Sequence, residues 1–589
     1  MLLPVARQVV VGLVIARKAE MQIKIVALNA RFTHSCLALF HVRNELEKNC
    51  LDVKIELCQL TINDSYYETL LRLSQGGPDY IFFSVAVWNS DRVEQLVWDL
   101  KACLPDCQVV VGGPQSVVVG HNLSSSLCTV VSGDIEAVSA AFYRDLERKA
   151  LQPFYGGSFL QMQDRVLLSP YREEDFNLHL QDRNVYYESS RGCPFSCTYC
   201  LSSAEKGVYH KDLLLVQQEL AQILHHQPAT LRFVDRTFND KPERALAIWK
   251  FLLGIEAKTL FHFEITPDRF TEEMFDFLET VPVGRFQFEI GVQSTHHKTL
   301  RAVGRMMDVT SSLRNIKRLV ALGSIHLHAD LILGLPYENR EDFGHSFADL
   351  FATGAHYLQM GLLKLLPETA ISRDAEMFSY TNCRQPPYAV LANQWLTHTT
   401  LQELYWFCEC VEKFVNNRYF PSFWDYLRRK EEDVFSFFQE LLRVCLQVNF
   451  FGLASTHDFM GQLLSQLIQG REDGPLLLEI LRYDWLRCGH RFLPSFLQVV
   501  LEEEQPQAVK NVLYQQTATE LAGLFGHSNR NHFFKKGFFL RFSGKCLQEL
   551  GLRQDGEQAV IIFLPEREVS LFCLQKTVIV GITQLRHQS

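Results

Sequence analysis

No apolar stretch after residue 20 reaches the ~20 residues that a membrane-spanning helix needs, so no membrane span is expected. Charge is not strongly one-sided: the formal net charge is -9 and charged residues make up 21%. That balance does not call for nucleic acid or a membrane surface as a partner. Internal repeats and low-complexity tracts are absent, which sets aside repeat architectures. The 16 cysteines follow no regular framework, so a disulfide-stapled secreted fold is set aside too. They read as reduced thiols of a cytoplasmic protein. A short apolar run at 9–16 lies between Arg7 and Arg17-Lys18, but no small-residue cleavage site follows it. Met21 opens a more ordinary start, and residues 1–20 are read as an upstream extension. What is present in quantity is core material. Of 589 residues, 47% are hydrophobic and 12% aromatic, enough for roughly three or four domains.

The most informative segment is Arg191-Gly-Cys-Pro-Phe-Ser-Cys-Thr-Tyr-Cys-Leu201. It puts Cys193, Cys197 and Cys200 in a C-x3-C-x2-C spacing with no fourth partner close by. A structural zinc site takes four ligands, usually as two close pairs. An ordinary four-iron cluster takes four cysteines. Three thiolates would leave one iron open to a small chelating ligand, to which it can pass an electron. A zinc site or three buried cysteines are the bland alternatives.

Around this loop the chain alternates strand-like and helix-like patterns. Residues 21–150 read as a flavodoxin-like, five-stranded doubly wound α/β domain, with strands at 23–28, 53–57, 80–87, 109–111 and 128–131. A helix at 35–48 is expected to be capped by Ser35. Residues 151–183 read as a linker. Residues 184–370 hold six strand candidates, at 185–189, 231–235, 260–265, 286–291, 325–333 and 357–363. Six strand-helix units do not close an eight-fold barrel, so a (β/α)6 partial barrel is expected, with its chemistry at the C-terminal strand ends. The cysteine loop follows the first of these strands. Residues 371–589 read as a mainly α-helical domain with terminal strands. Helices are expected at 389–417, 431–449, 476–486 and 509–524, and strands at 532–542 and 559–564.

The cysteine spacing, its place after a first strand and the partial barrel resemble the radical S-adenosylmethionine (SAM) superfamily over about residues 184–370. The resemblance implies a [4Fe-4S] cluster on Cys193, Cys197 and Cys200, with the amino and carboxylate groups of SAM at the open iron. It implies reductive cleavage of SAM to a 5′-deoxyadenosyl radical that abstracts hydrogen from an unactivated position. Tyr199 is placed to stack on adenine. The Gly-Gly-Glu that commonly holds the SAM amine is missing, which leaves Asp235 and Asn239 as candidates there. Glu264 is a candidate for the ribose hydroxyls or the amine. Gln293 and Ser294 match ribose-facing positions, and Arg305 suits the SAM carboxylate because guanidinium and carboxylate pair as a fork. Each of these side chains is also readable as a structural strand-end residue.

A doubly wound domain ahead of such a barrel resembles the cobalamin-binding radical SAM class. Ser84, Trp88, Asn89, Gly112, Gly113 and Gly133 lie at its strand ends and are the candidates for receiving cobalamin, the glycines by letting backbone approach a bulky ligand. The Asp-x-His-x-x-Gly element that often supplies an axial histidine is absent. His34 lies in the right turn, in a different context. The region after 370 resembles the uncharacterised helical segment that follows one subgroup of these proteins. Cys408 and Cys410, with Cys383 or Cys445, are poorly spaced for an auxiliary cluster and read as buried helix cysteines. Aromatics and cations mix at 531–541, but the negative total charge favours an amphipathic strand over RNA binding.

The expectation is therefore a cytoplasmic cobalamin-dependent radical SAM methyltransferase. Its target is an unactivated carbon or phosphorus centre of a small-molecule or unidentified substrate, and its electron donor a flavodoxin or ferredoxin. The alternatives are a radical rearrangement or cyclisation without methyl transfer, and a non-catalytic cobalamin or cluster sensor.

Overall fold

A computed structural model describes residues 20–515, 530–565 and 577–583. The extension at 1–20 falls almost wholly outside these residues, as does the end of the helix expected at 509–524, of which Pro506–Gln515 is described. The chain divides into two compact units, Met1–Tyr187 and Glu188–Ser589.

The first unit is built on a parallel sheet. Its strands are β1 (Met21–Asn29), β2 (Val53–Thr61), β3 (Tyr80–Ser84), β4 (Gln108–Gly112), β5 (Thr129–Gly133) and β6 (Phe154–Gly157), in the order β2-β1-β3-β4-β5-β6. Side chains alternate across a strand. Val26 and Leu28 of β1 therefore enter one core, while Ile23, Ile25 and Ala27 enter another on the opposite face. Burial on both faces is why β1, β3 and β4 read as apolar runs rather than alternations. The order reverses at β1, the position at which doubly wound sheets bind ligands.

Two readings of this unit change. The sheet has six strands, because 154–157 of the expected linker pairs with β5. The rest of that segment packs down as well: Asp175 is fully buried and accepts from the Arg43 guanidinium at 2.6 and 2.8 Å. Its turn-rich composition hid a short edge strand whose glycines pack against β5. Ser35 is also not the helix cap. The helix Leu37–Asn49 starts one residue later with Cys36 at the cap position, and the Ser35 hydroxyl donates to the Asn184 carbonyl at 2.8 Å.

The second sheet has the order β14-β13-β12-β11-β10-β7. Its strands are β7 (Val185–Tyr187), β10 (Thr230–Phe233), β11 (Leu260–Ile265), β12 (Phe286–Gln293), β13 (His326–Leu333) and β14 (Tyr357–Leu362). The pairs from β10 to β14 are parallel. Six strands with two free ends make the open partial barrel expected. Between β7 and β10, β8 (Ser190–Cys193) and β9 (Gly207–His210) form an antiparallel hairpin. On β12, Phe286, Phe288, Ile290 and Val292 are fully buried. Phe288 stacks on Trp249 of helix Pro242–Gly254, with ring centroids 5.4 Å apart. Each such ring contributes about 1.5–3 kcal/mol through removal from water. The intervening Gln287, Glu289, Gly291 and Gln293 lie on the other face and are half-buried.

The remainder is mainly helical, and its helices include His398–Phe414, Pro421–Arg429, Val434–Gln447, His457–Leu467 and Gly474–Arg487. An antiparallel sheet follows, made of Phe538–Phe542, Ala559–Pro565 and Thr577–Thr583. The helix expected from 389 begins only at His398, where the Thr397 side chain accepts from the Thr400 amide; Val390–Ala392 is a short strand. The strand expected from 532 begins as helix Arg530–Lys536 and becomes strand only after Gly537. Gly537 ends the helix, its amide on the Phe533 carbonyl at 2.8 Å. No helix among the described residues is long and apolar enough to cross a membrane.

Candidate functional site

The cysteines sit on the excursion between β8 and β9. Cys193 ends β8, registered against Gly207, and Cys197 and Cys200 lie within the loop. The loop is held at several points. Ser203 donates to the carbonyls of Cys197 (2.8 Å) and Cys200 (2.7 Å). The Thr198 amide donates to the Val303 carbonyl at 2.9 Å, and the Thr198 carbonyl accepts from the Ile371 amide at 3.0 Å. Cys193 and Cys200 are half-buried and Cys197 is buried. Burial pushes the Cys193 thiol up, and nearby Cys200 and Cys197 add to the shift. No three His, Cys, Asp or Glu side chains among the described residues are grouped to hold a single metal ion. Cys193 feels Cys200 and Cys197 electrostatically across this loop. Cys408, Cys410 and Cys445 are buried, free helix cysteines, with a hydrogen bond between the Cys410 and Cys445 side chains.

Beside the loop is a cavity of about 170 Å³ at the C-terminal ends of the second sheet's strands. Phe195, Arg236, Thr237, Glu264, Glu289, Gln293, Arg305 and Asp330 are among its lining residues. Arg305 bridges the loop and the sheet. Its guanidinium donates to the Gly291 carbonyl and lies 3.9 Å from Cys197 Sγ. It also stacks over Phe195, 5.2 Å from the ring centre. Thr237 Oγ1 is 3.8 Å from Cys193 Sγ.

Three carboxyl groups reach this cavity from neighbouring strands. Glu264 of β11 is registered beside Glu289 of β12, and Asp330 of β13 beside Gly291. Burial raises Glu264 to about 7, Arg236 partly offsetting it and Glu289 adding to it. Burial, then Glu289 and Glu264, push Asp330 well above the usual carboxylate range against the pull of Arg305. Glu289 goes the other way, lowered mainly by its hydrogen bond to His262 at 3.0 Å. Asp330 Oδ1 and Arg305 Nε are buried with no hydrogen-bond partner. Orphaned polar atoms in such a place are expensive unless a ligand meets them. The arrangement is complementary to a molecule carrying cationic groups toward the carboxylates and an anionic group toward Arg305.

The sequence candidates separate into two groups. Glu264, Gln293 and Arg305 share the cavity. Asp235, Asn239 and Ser294 are fully engaged in holding strand ends. Asp235 accepts from the Ser189 amide (3.0 Å) and from the hydroxyls of Ser189 (2.6 Å) and Ser190 (2.5 Å). Asn239 exchanges two bonds with the Thr266 backbone, 2.8 and 2.9 Å. Ser294 donates to Glu338 at 2.5 Å. The Tyr199 hydroxyl is hydrogen-bonded to Cys197. Asp330, Glu289 and Arg236 were not singled out from the sequence. The signal for Asp330 and Glu289 was the polar period-two pattern of His326, His328 and Asp330 on β13, matched by Gln287 and Glu289 on β12; Arg236 follows the end of β10.

In the first unit, Asn89 is also structural. Its side chain accepts from the Ala86 amide at 2.8 Å and donates to the carbonyls of Leu28 and Ser84 at 3.1 Å. Ser84 Oγ accepts from the Cys36 thiol at 3.5 Å. Gly112 ends β4 with no close neighbour to a side chain. At Gly113 and Gly133 a Cβ would lie 2.7 and 1.9 Å from the carbonyls of Val85 and Gly157. Both residues have positive φ, so these glycines are required by the chain's own packing. His34 is hydrogen-bonded to the Tyr186 hydroxyl. Trp88 stands apart: its ring is 55% exposed on the turn after β3 while its indole N–H holds the Leu28 carbonyl at 3.2 Å. Phe32, on the turn after β1, is 58% exposed.

Parts of the chain resemble known proteins. Residues 187–350 match the radical SAM superfamily, and residues 376–563 match a family described as a protein of unknown function, DUF4080. The chain is 26% identical over 204 residues to the cobalamin-dependent radical SAM methyltransferase TokK of Streptomyces tokunonensis, covering 33% of this chain and 30% of that protein. It is 24% identical over 350 residues to a 2-(S-pantetheinyl)-carbapenam-3-carboxylate methyltransferase of Streptantibioticus cattleyicolor, covering 51% and 49%. The chain thus spans half or less of the length of these curated relatives. Among solved structures, the cobalamin-dependent SAM radical enzyme OxsB with aqua-cobalamin superposes with a TM-score of 0.53 at 13% identity, over 79% of this chain and 80% of that one. The methyltransferase TsrM of Kitasatospora setae, with tryptophan and a SAM analogue, gives 0.50 at 15% identity, over 62% and 79%. Residues 187–350 therefore form a radical SAM domain, in a chain that shares the fold of cobalamin-dependent radical SAM enzymes.

Proposed function

We propose that this protein is a cobalamin-dependent radical SAM methyltransferase acting on an unactivated carbon or phosphorus centre of a small molecule. The supporting observation is a three-cysteine loop, locked by its own hydrogen bonds, against a cavity in which Asp330 Oδ1 and Arg305 Nε lack protein partners. The donor set fits the cofactors. Three thiols without a fourth suit a [4Fe-4S] cluster with one open iron, on Cys193, Cys197 and Cys200. The carboxylates of Glu264, Glu289 and Asp330 suit the ammonium, sulfonium and ribose hydroxyls of SAM, and Arg305 suits its carboxylate. In the first unit the exposed Trp88 and Phe32 give the edge at the β1/β3 reversal an apolar surface suited to cobalamin. When bound, the cluster and SAM supply a carbon-centred radical and the cobalamin carries the methyl group.

The chain's residues do the rest. Arg305 orients SAM and brings positive charge beside Cys197. Burial holds Glu264 and Asp330 above the usual carboxylate range, so an arriving cation shifts each toward its ionised form and is bound by charge as well as by hydrogen bond. Asp235, Asn239 and Ser294 keep the strand ends in place, acting as positioning residues. A reducing compartment suits the thiols, the cytoplasm being the expected one, and the electron comes from a carrier such as a flavodoxin or ferredoxin.

The test is anaerobic reconstitution with iron and sulfide. The wild-type protein with dithionite yields 5′-deoxyadenosine, and Cys193→Ala, Cys197→Ala and Cys200→Ala do not. Methyl transfer adds S-adenosylhomocysteine to the products, whereas deoxyadenosine alone during turnover would favour rearrangement. Zinc instead of iron at the three thiols would end the proposal.

A further inference from the structure

The radical chemistry proposed above needs one electron from outside, since reductive cleavage of SAM consumes one. The chain as a whole repels an acidic partner, with its net charge of -9. One surface beside the cysteine loop has the opposite sign. Between Thr295 and Met307 the sequence carries Lys298, Arg301 and Arg305 and no Asp or Glu. The short helix His297–Ala302 turns Thr299 and Leu300 inward and leaves His297, Lys298 and Arg301 exposed. Positions 297, 298 and 301 share one face of a helix. The Lys298 ammonium is held 4.3 Å over the Tyr337 ring, and Met306 is 71% exposed just beyond.

The segment is pressed directly onto the cysteine loop. Val303 accepts from the Thr198 amide at 2.9 Å. At Gly304, whose φ is +68°, a Cβ would stand 2.7 Å from the Ser196 carbonyl. The next residue is Arg305, 3.9 Å from Cys197 Sγ. A cationic face with an exposed thioether, one turn of backbone from the cysteines, has the shape of a landing site. Two acids border it: Asp349, which accepts from the Thr295 hydroxyl at 2.6 Å, and the exposed Asp308 just past Met307, which accepts from the Ser311 amide and hydroxyl at 3.0 Å.

We infer that the exposed face of helix His297–Ala302, with Met306, is the docking surface for a small acidic electron-carrier protein. This rests on the radical SAM reading. The carrier gives up one electron and is oxidised by one, the cluster behind the loop is reduced by one, and no proton or group is transferred. Charge complementarity speeds encounter and fixes orientation, and Met306 supplies apolar contact at the centre.

The test uses the full-length protein with flavodoxin as the probe. Zero-length carbodiimide coupling of the two proteins is expected to join Lys298 to a flavodoxin carboxylate, and needs no loaded cluster. Lys298→Glu with Arg301→Glu is expected to weaken flavodoxin binding about 10-fold or more, and the milder Lys298→Gln with Arg301→Gln by less. Salt is expected to weaken the wild-type complex in the same way. Deoxyadenosine formation driven by reduced flavodoxin falls with binding, while that driven by dithionite stays at the wild-type level. Unchanged flavodoxin binding in both double variants, or cross-links confined to other lysines, overturns the assignment. If dithionite drives no SAM cleavage in the wild type, the radical reading falls, and the cross-link map still decides the surface.

Discussion

Asp330 combines a buried, unpartnered oxygen with a cavity wall shared by two other carboxylates. Asp330→Asn removes charge where no protein partner is lost. The fold should survive, and SAM affinity measured by calorimetry should fall about 10- to 100-fold, the loss of a charge-assisted hydrogen bond. Asp235→Asn should do the reverse. Its carboxylate accepts three bonds from Ser189 and Ser190. Chemical denaturation should report a loss of about 1–3 kcal/mol for a buried group left partly unsatisfied, with SAM affinity in the remaining folded protein little changed. At this scale the sequence was uneven. Cys193, Cys197 and Cys200 were legible because their spacing is itself the chemistry. Glu264 and Arg305 were legible as strand-end groups. Asp235 and Asn239 looked identical in kind, and only their partners, 46 and 27 positions away in the chain, reveal their structural work.

Glu338 works between elements. It accepts from Ser294 past the end of β12 and from Ser346 in helix Arg340–Phe351, and burial raises it to about 8. A carboxyl raised in the folded state stabilises most below its unfolded value, and that contribution is lost as pH rises through the folded value. Glu264 and Asp484, each raised to about 7, act in the same direction. Histidines lowered by burial in the folded state, such as His328, His356 and His457, act the other way below about pH 6.5, so thermal unfolding of the ligand-free protein should show stability declining from about pH 6.5 to pH 8. Glu338→Gln, which keeps the acceptor and cannot ionise, should flatten that slope. Elements were largely readable where period two or two-faced burial dominated, as in β10 to β14. They were misread where a single residue decides: Thr397 delays one helix, and Gly537 divides what looked like one strand.

Over the whole molecule, the first compact unit runs to Tyr187 and takes in the segment 151–183 expected as a linker. Residues 20–187 produced alone should fold, with a cooperative melt followed by circular dichroism. Residues 20–150 should not. That truncation removes the edge strand β6 and, with Asp175 and Pro170, a carboxylate and a carbonyl that accept from the Arg43 guanidinium. A cooperative melt of the shorter piece would show that the segment after 150 is a tether after all. The linker was misjudged because four residues of edge strand and one buried ion pair leave little trace in composition.

β12 has a consequence for how its sequence can drift. Phe288 and its apolar neighbours point one way, Glu289 and Gln293 the other. Exhaustive substitution along this strand should yield a tolerance profile that beats with a two-residue rhythm. Odd and even positions would answer to different selections, volume on one and charge on the other. A single inserted residue would exchange the two populations, sending the Glu289 carboxylate among the rings.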